Sequence, residues 1–148
     1  MLINTTRFGR MEIDDQRITT FSKGILGFSR EKQYVLMEAS KDSCFFWLQA
    51  VNRPDLAFVI TDPSFFVSSY RVPLNSDQMR ELGIEVLDDA QVFVIVNKYD
   101  NTLTGNFQGP LVINTKDRLG EQLVLSDRRF TTRMDLVELS IPLEAVSA

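Results

Sequence analysis

The sequence predicts an all-β fold, mainly antiparallel, that closes into a small barrel carrying one short helix. Short apolar runs rich in β-branched and aromatic residues recur along the chain, as in strands. Most gaps between them are too short for the crossover helix that parallel neighbours need. A mostly antiparallel sheet of many short strands buries its apolar faces by curling into a barrel or folding into a sandwich, and we expect the barrel.

The strands and two hairpins follow from these runs. The predicted strands are Tyr34–Met37, Phe45–Leu48, Leu56–Ile60, Val92–Val96, Leu111–Ile113 and Leu123–Leu125. The alternation over Met11–Asp14, a turn at Asp14–Gln16 and the segment Arg17–Phe21 predict an N-terminal hairpin with one wet face. Turn-forming Asn, Asp and Gly between Asn97 and Asn106 predict a second hairpin loop with an exposed tip.

One segment has the signals of a helix of about two turns. Asn75 is a good N-cap, and Gln78 stands three residues later, as in a capping box. Leu74 and Met79 have the spacing of a hydrophobic staple, and Gly83 can end the helix.

Length, charge and cysteine usage limit the class of protein. The 148 residues suit a single domain over 1–148. The 16 basic and 20 acidic residues give a net charge of −4, which favours a basic partner over nucleic acid. The single cysteine, Cys44, indicates a reducing compartment, and no leader or long apolar window is seen, so we expect a cytoplasmic protein that binds no membrane.

The composition argues against an enzyme. Histidine, the usual general base near neutral pH and the commonest metal ligand, is absent. The acid pairs Asp14–Asp15 and Asp88–Asp89 are typical of solvated turns, because neighbouring side chains on a strand point to opposite faces. Cys44 heads an apolar run and is expected to be a buried hydrophobe. We therefore expect no catalytic residue, no cofactor and no metal ion.

The segment Lys23–Phe28 has two glycines near a lysine but lacks the order of a phosphate-binding loop. We expect a turn in which the glycines supply positive φ. Ile25, Leu26 and Phe28 should then pack on the end of the barrel.

Two alternatives to a protein-binding barrel have physical support. The 11 phenylalanines could form a base-stacking platform for RNA, but Phe45–Trp47 has no basic residue between Lys41 and Arg53, so core packing is favoured. A barrel of about eight strands can also hold one small molecule. A filled interior would count against that small-ligand alternative.

Exposed loops on a rigid barrel commonly carry function. The segment after Asp62–Pro63 is predicted to form an irregular rim, and the Asn97–Asn106 loop a hairpin tip. The candidate partner-binding residues are Phe65, Phe66, Tyr70 and Arg71 on the rim, and Lys98, Tyr99 and Asp100 on the tip.

Several segments together resemble the FliW family of flagellar assembly factors. They are Phe21–Phe28, Phe46–Ala50, Leu56–Phe58 with Asp62–Pro63, Asn106–Asn114 and Gly120–Gln122. The resemblance covers nearly the whole chain and rests on the order and spacing of the segments. It implies a bacterial cytosolic regulator that binds newly made flagellin. When free of flagellin, such a protein would bind the translational repressor CsrA and antagonise it by allostery, without contacting RNA itself.

Overall fold

The computed structural model describes residues 1–40 and 43–136, and within them it contains eleven strands and one α-helix. The strands are β1 (Leu2–Thr5), β2 (Gly9–Glu12), β3 (Ile18–Phe21), β4 (Gln33–Glu38), β5 (Phe45–Ala50), β6 (Ala57–Thr61), β7 (Ala90–Tyr99), β8 (Thr102–Gly105), β9 (Leu111–Asn114), β10 (Leu119–Gln122) and β11 (Met134–Asp135). The helix α1 is Ser76–Leu82, and short 3-10 helices cover Asp15–Arg17, Pro63–Phe65 and Leu87–Asp89.

Seven strands close into a barrel in the order β7, β6, β5, β4, β3, β10, β9 and back to β7. The long strand β7 makes the closure possible because its two halves have different neighbours. Residues Ala90–Phe93 pair with β9, whereas Val94–Val96 pair with β6 and Val96–Tyr99 with β8. All the barrel pairings are antiparallel except β3 with β10. The predicted, mainly antiparallel barrel is confirmed.

Large apolar side chains fill the barrel interior. Phe21, Tyr34, Leu48, Ile60 and Leu111 are all fully buried and belong to one cluster. The Phe21 and Tyr34 rings meet edge to face with centroids 5.6 Å apart, a favoured aromatic geometry. This filled interior counts against the small-ligand alternative.

Four segments of the described chain pack on the outside of the barrel. The β1–β2 hairpin buries Ile3 and Ile13 against Val35 and Val51. Helix α1 and the residues after it bury Leu82 and Ile84 against Val112 and Leu123. The outer face of β7 and β8 packs against the segment that follows β6 and the chain around Phe130.

The predicted helix is confirmed. The Asn75 side chain accepts a hydrogen bond from the Gln78 N–H at 2.8 Å, and the Gln78 Oε1 accepts one from the Asn75 N–H at 2.9 Å. Gly83 ends the helix with φ of 68°, a conformation that favours glycine. Leu74 and Met79 both pack in the cluster beneath the helix, as the staple spacing predicted.

The predicted N-terminal hairpin over Met11–Phe21 is wrong. Strand β2 pairs with β1, and β3 pairs with β4 and β10. Asp14 starts a turn, as predicted, and its carboxylate accepts from the Gln16 N–H at 2.9 Å. That turn is a 3-10 helix that connects the two-stranded β1–β2 sheet to the barrel sheet. The segments on either side of it therefore belong to different sheets and do not pair.

The predicted strand at Leu123–Leu125 is also misplaced, because the strand is Leu119–Gln122. Leu123 and Leu125 are buried and donate their N–H groups to the carbonyls of Pro110 and Gln108. Between them, the Val124 side chain is 67% exposed. Residues 123–125 therefore form an irregular continuation of β10, in which buried and exposed side chains alternate.

Candidate functional site

The rim segment, residues 63–73, follows β6 and begins with a capped 3-10 turn. The Asp62 Oδ1 accepts from the Ser64 N–H at 2.9 Å and from the Ser64 hydroxyl at 2.7 Å. Pro63 occupies the first turn, where a missing N–H costs nothing. These local bonds fix the direction in which the chain leaves the barrel.

The two phenylalanines of the rim segment have different environments. The Phe65 side chain is 56% exposed. Phe66 is half-buried, and its ring lies 6.4 Å from that of Phe45, centroid to centroid. Phe65 is thus the large apolar side chain that the rim segment offers to solvent, while Phe66 helps to attach the segment to the barrel.

Tyr70, one of the candidate partner-binding residues, is buried. Its side chain is 5% exposed, and its hydroxyl donates to the Phe107 carbonyl at 2.6 Å. The ring contacts Phe107 and Phe130 edge to face, with centroids 5.1 and 4.8 Å away. Burial raises the pKa of the Tyr70 phenol well above its usual range. The local sequence does not reveal this burial, because the carbonyl that accepts the Tyr70 hydroxyl is 37 residues away.

Arg71 is exposed, yet its guanidinium is held in place by the backbone. The Nη1 group donates to the Ser68 carbonyl at 3.1 Å and to the Tyr70 carbonyl at 2.8 Å. Arg71 therefore braces the turn before it while presenting a positive charge at the surface.

Beneath the rim segment lies a cleft of about 220 Å³, here called the rim cleft. It is lined by Asp62, Pro63, Ser64, Tyr70, Arg71, Val72, Leu74, Leu87, Ala90, Val92 and Val112. Val92 and Val112 are opposite each other in the β7–β9 ladder. Leu87, on the short 3-10 helix before β7, is 63% exposed at its border.

Sequence reasoning missed the rim cleft because its walls come from segments far apart in the chain. One signal was available: the apolar pair Val86–Leu87 stands directly before Asp88–Asp89, and both apolar side chains are exposed. An exposed apolar pair beside charged residues is typical of a contact surface.

The hairpin tip forms as predicted, with Lys98, Tyr99 and Asp100 all exposed. Asp100 has φ of 54°, which a tight turn requires and aspartate tolerates. The Arg133 guanidinium carbon lies 4.1 Å from the centroid of the Tyr99 ring. In the described part of the chain, no hydrogen bond, ion pair or ring contact joins the tip to the rim segment. The candidate residues therefore form two separate groups.

The Lys23–Phe28 segment is a glycine turn, as predicted, with φ of 69° at Gly24 and 88° at Gly27. Ile25 is buried and Phe28 half-buried, but the expected packing of Leu26 is wrong, because its side chain is 67% exposed. The turn is tied down through polar groups instead. The Leu26 N–H donates to the Gln122 Oε1 at 2.8 Å.

Lys23 connects this turn to two other elements. Its ammonium group lies 2.7 Å from the Glu121 carboxylate on β10 and 3.0 Å from the Glu81 carboxylate on α1. Hydrogen bonds to Glu121 and Glu81 raise the pKa of Lys23, and the bond from Lys23 lowers the pKa of Glu81. These ion pairs give Lys23 a structural role.

The other residues considered for chemistry have structural surroundings. Asp14 caps a turn and Asp15 lies 3.4 Å from the N-terminal ammonium group. Cys44 is half-buried, and burial raises the pKa of its thiol, which opposes thiolate formation. Within residues 1–40 and 43–136, no group of three or more acidic or cysteine side chains is placed to hold a metal ion.

The fold is therefore a closed barrel with a filled interior, and its apolar cleft and exposed aromatic side chains lie on the outside. A family model described as "FliW protein" matches residues 2–136. The chain belongs to the FliW family of flagellar assembly factors.

Similar proteins and a solved structure agree with this assignment. The flagellar assembly factor FliW of Alkaliphilus metalliredigens is 39% identical over 93% of this chain and 87% of its own length. That of Leptospira biflexa is 32% identical over 92% of this chain and 91% of its own length. A crystal structure of the flagellar assembly factor FliW superimposes with a TM-score of 0.84 at 35% identity, covering 92% of this chain and 96% of that one.

Helix α1, the only α-helix in the described residues, is seven residues long and therefore too short to cross a bilayer.

Proposed function

We propose that this chain is a cytoplasmic, non-catalytic regulator that binds flagellin and, when free of flagellin, binds CsrA and antagonises it by allostery. When unassembled flagellin accumulates, it would occupy this chain, and CsrA would be free to repress flagellin translation. When flagellin is scarce, the chain would bind CsrA and relieve that repression. The proposal rests on membership of the FliW family, which assigns the chain to flagellar assembly.

The surface chemistry supports protein partners. Phe65 and Leu87 expose large apolar side chains near an apolar cleft, the kind of surface that protein interfaces use. The rigid barrel beneath holds these groups in place, which lowers the entropy lost on binding. The rim residues Phe65, Phe66 and Arg71 remain candidates for direct contact, Tyr70 for supporting the rim from inside, and Lys98, Tyr99 and Asp100 for a second contact surface.

The alternatives have less support. Buried side chains occupy the interior of the barrel, which argues against a small ligand there. The net charge of −4 opposes RNA binding, whose affinity comes largely from neutralising phosphates.

Titrating the purified chain separately with flagellin and with CsrA tests the proposal. We expect a saturable complex with each partner, and we expect flagellin to displace CsrA. An allosteric antagonist should also weaken the binding of CsrA to its messenger RNA without itself retarding that RNA in a gel. Failure to bind either partner in a buffer of physiological ionic strength contradicts the proposal.

A further inference from the structure

The size and lining of the rim cleft suit a side chain better than a free small molecule. Ligand pockets commonly measure about 300–1,000 Å³, whereas the rim cleft measures about 220 Å³. Val72, Val92 and Val112 give it apolar walls, and Leu87 borders it with an exposed side chain. An apolar side chain inserted into the rim cleft would remove from water both its own surface and the apolar walls of the cleft.

The border of the rim cleft carries an excess of negative charge. Asp62 lines it, and Asp88 and Asp89 stand in the chain between the lining residues Leu87 and Ala90. Across the described ranges, none of these three carboxylates lies within ion-pair distance of a lysine or arginine. Asp62 already accepts hydrogen bonds from Ser64 and Gln91, so Asp88 and Asp89 are the carboxylates available to attract a cationic partner.

Positive charge at the cleft is limited and already engaged. Arg71 is the one cationic side chain among the described lining residues, and two backbone carbonyls hold its Nη1 group. An acidic segment would be repelled by several carboxylates and attracted only by this single guanidinium. The charge arrangement thus selects for a basic segment.

We propose that the rim cleft binds a short segment of a partner protein, which inserts one apolar side chain between Val92 and Leu87 and carries lysine or arginine residues on either side of it. The apolar side chain supplies affinity by leaving water, and the flanking cations pair with the carboxylates around Leu87. This inference rests on the proposed function, since it describes how a protein partner is recognised.

Two short peptides of equal length test the inference by NMR on the isotope-labelled chain. One has a leucine flanked by lysines, and the other has the same leucine flanked by glutamates. We expect the lysine peptide to shift the amide signals of Leu87, Ala90 and Val92 in a saturable manner, and the glutamate peptide to leave them unchanged. No shift at these residues, or equal shifts with both peptides, overturns the inference.

Matched variants locate the binding. Leu87→Ser should weaken the lysine peptide about tenfold, as expected for a buried interface anchor, whereas Leu26→Ser, which removes another exposed leucine, should have no effect. The pair Asp88→Asn and Asp89→Asn should weaken it about threefold and reduce its salt dependence. The control pair Glu38→Gln and Asp135→Asn changes the net charge by the same amount and should leave the affinity for the lysine peptide unchanged. Equal losses in the variant and control pairs overturn the inference, because they indicate general charge attraction.

The two proposals fail separately. If the unmodified chain binds neither flagellin nor CsrA, the proposed function is wrong whatever the peptides do. If whole partners bind but neither the lysine peptide nor Leu87→Ser has the expected effect, the protein-binding function stands and the rim cleft is not its recognition site.

Discussion

The Tyr70 hydroxyl and the Phe107 carbonyl lie 2.6 Å apart, and their hydrogen bond attaches the rim segment to the chain that leaves β8. Both residues are buried, so if one group is removed the other cannot form a replacement hydrogen bond with water. The candidate contact surface is therefore supported by an internal polar bond as well as by apolar packing.

Tyr70→Phe removes this bond and keeps the ring. We expect the variant to lose about 1–2 kcal/mol of unfolding free energy, because a buried carbonyl is left without its donor. Tyr70→Ala should cost about 3–5 kcal/mol, since the ring contacts with Phe107 and Phe130 are lost too. Urea unfolding followed by tryptophan fluorescence measures both changes, and a Tyr70→Phe variant as stable as the parent contradicts the account.

Gly120 lies against the Phe21 ring in the barrel interior. A β-carbon added at Gly120 would come within 2.6 Å of two ring atoms of Phe21. We expect Gly120→Ala to cost about 1–3 kcal/mol of unfolding free energy through overpacking.

A second substitution tests that cause. If the clash with Phe21 is responsible, adding Phe21→Leu to Gly120→Ala should cost less than the two single changes together, because the residues are in contact. Strict additivity in urea unfolding would place the effect of Gly120→Ala elsewhere.

The Lys23 ion pairs should make part of the stability depend on pH. The pKa of Glu81 is lowered by Lys23 in the folded chain, so its contribution is present above the ordinary glutamate value of 4.5 and is lost as the pH falls through the lowered value. The pKa of Lys23 is raised, so its contribution is present below the ordinary lysine value of 10.5 and is lost as the pH rises through the raised value.

Lys23→Met tests this dependence. The difference in Tm between the parent and Lys23→Met should be largest between these two values and should shrink towards acid and towards strong alkali. Lys32→Met, at an exposed lysine in the same region of the sequence, serves as a control. A difference that stays constant from pH 3 to pH 11 would mean that the Lys23 side chain stabilises the fold only through packing.

The contact of Arg133 with Tyr99 should stabilise the hairpin tip slightly. Cation–π contacts at exposed sites contribute about 0.5–1 kcal/mol. A double-mutant cycle with Tyr99→Leu and Arg133→Met should give a coupling energy in that range in urea unfolding. A coupling energy of zero would show that the two side chains do not interact in solution.

Local sequence signals predicted the elements whose interactions are local. The helix start at Asn75, its end at Gly83 and the turn at Asp100 all follow from residues within a few positions of each other. The apolar runs likewise located most of the barrel strands, because alternation and β-branched content reflect burial on a sheet.

The errors concern partners that are distant in the chain. Nothing near Met11 indicates that β2 pairs back to β1, and nothing near Tyr70 indicates that Phe107 accepts its hydroxyl. The rim cleft was missed for the same reason, since Val92 and Val112 become neighbours only through the β7–β9 ladder. Long-range pairing decides these features, and a single sequence carries little information about it.

The affinity of the Phe65→Ser variant for flagellin and for CsrA tests most directly whether partners bind outside the barrel, at the rim. Phe65 is exposed, so the change should leave stability within about 0.5 kcal/mol of the parent. Leu2→Ser, a similarly exposed apolar truncation on β1, whose hairpin packs against Val35 and Val51, is the control. The account predicts that Phe65→Ser weakens binding of at least one partner about fivefold or more while Leu2→Ser does not. Unchanged affinity of Phe65→Ser for both partners would contradict it.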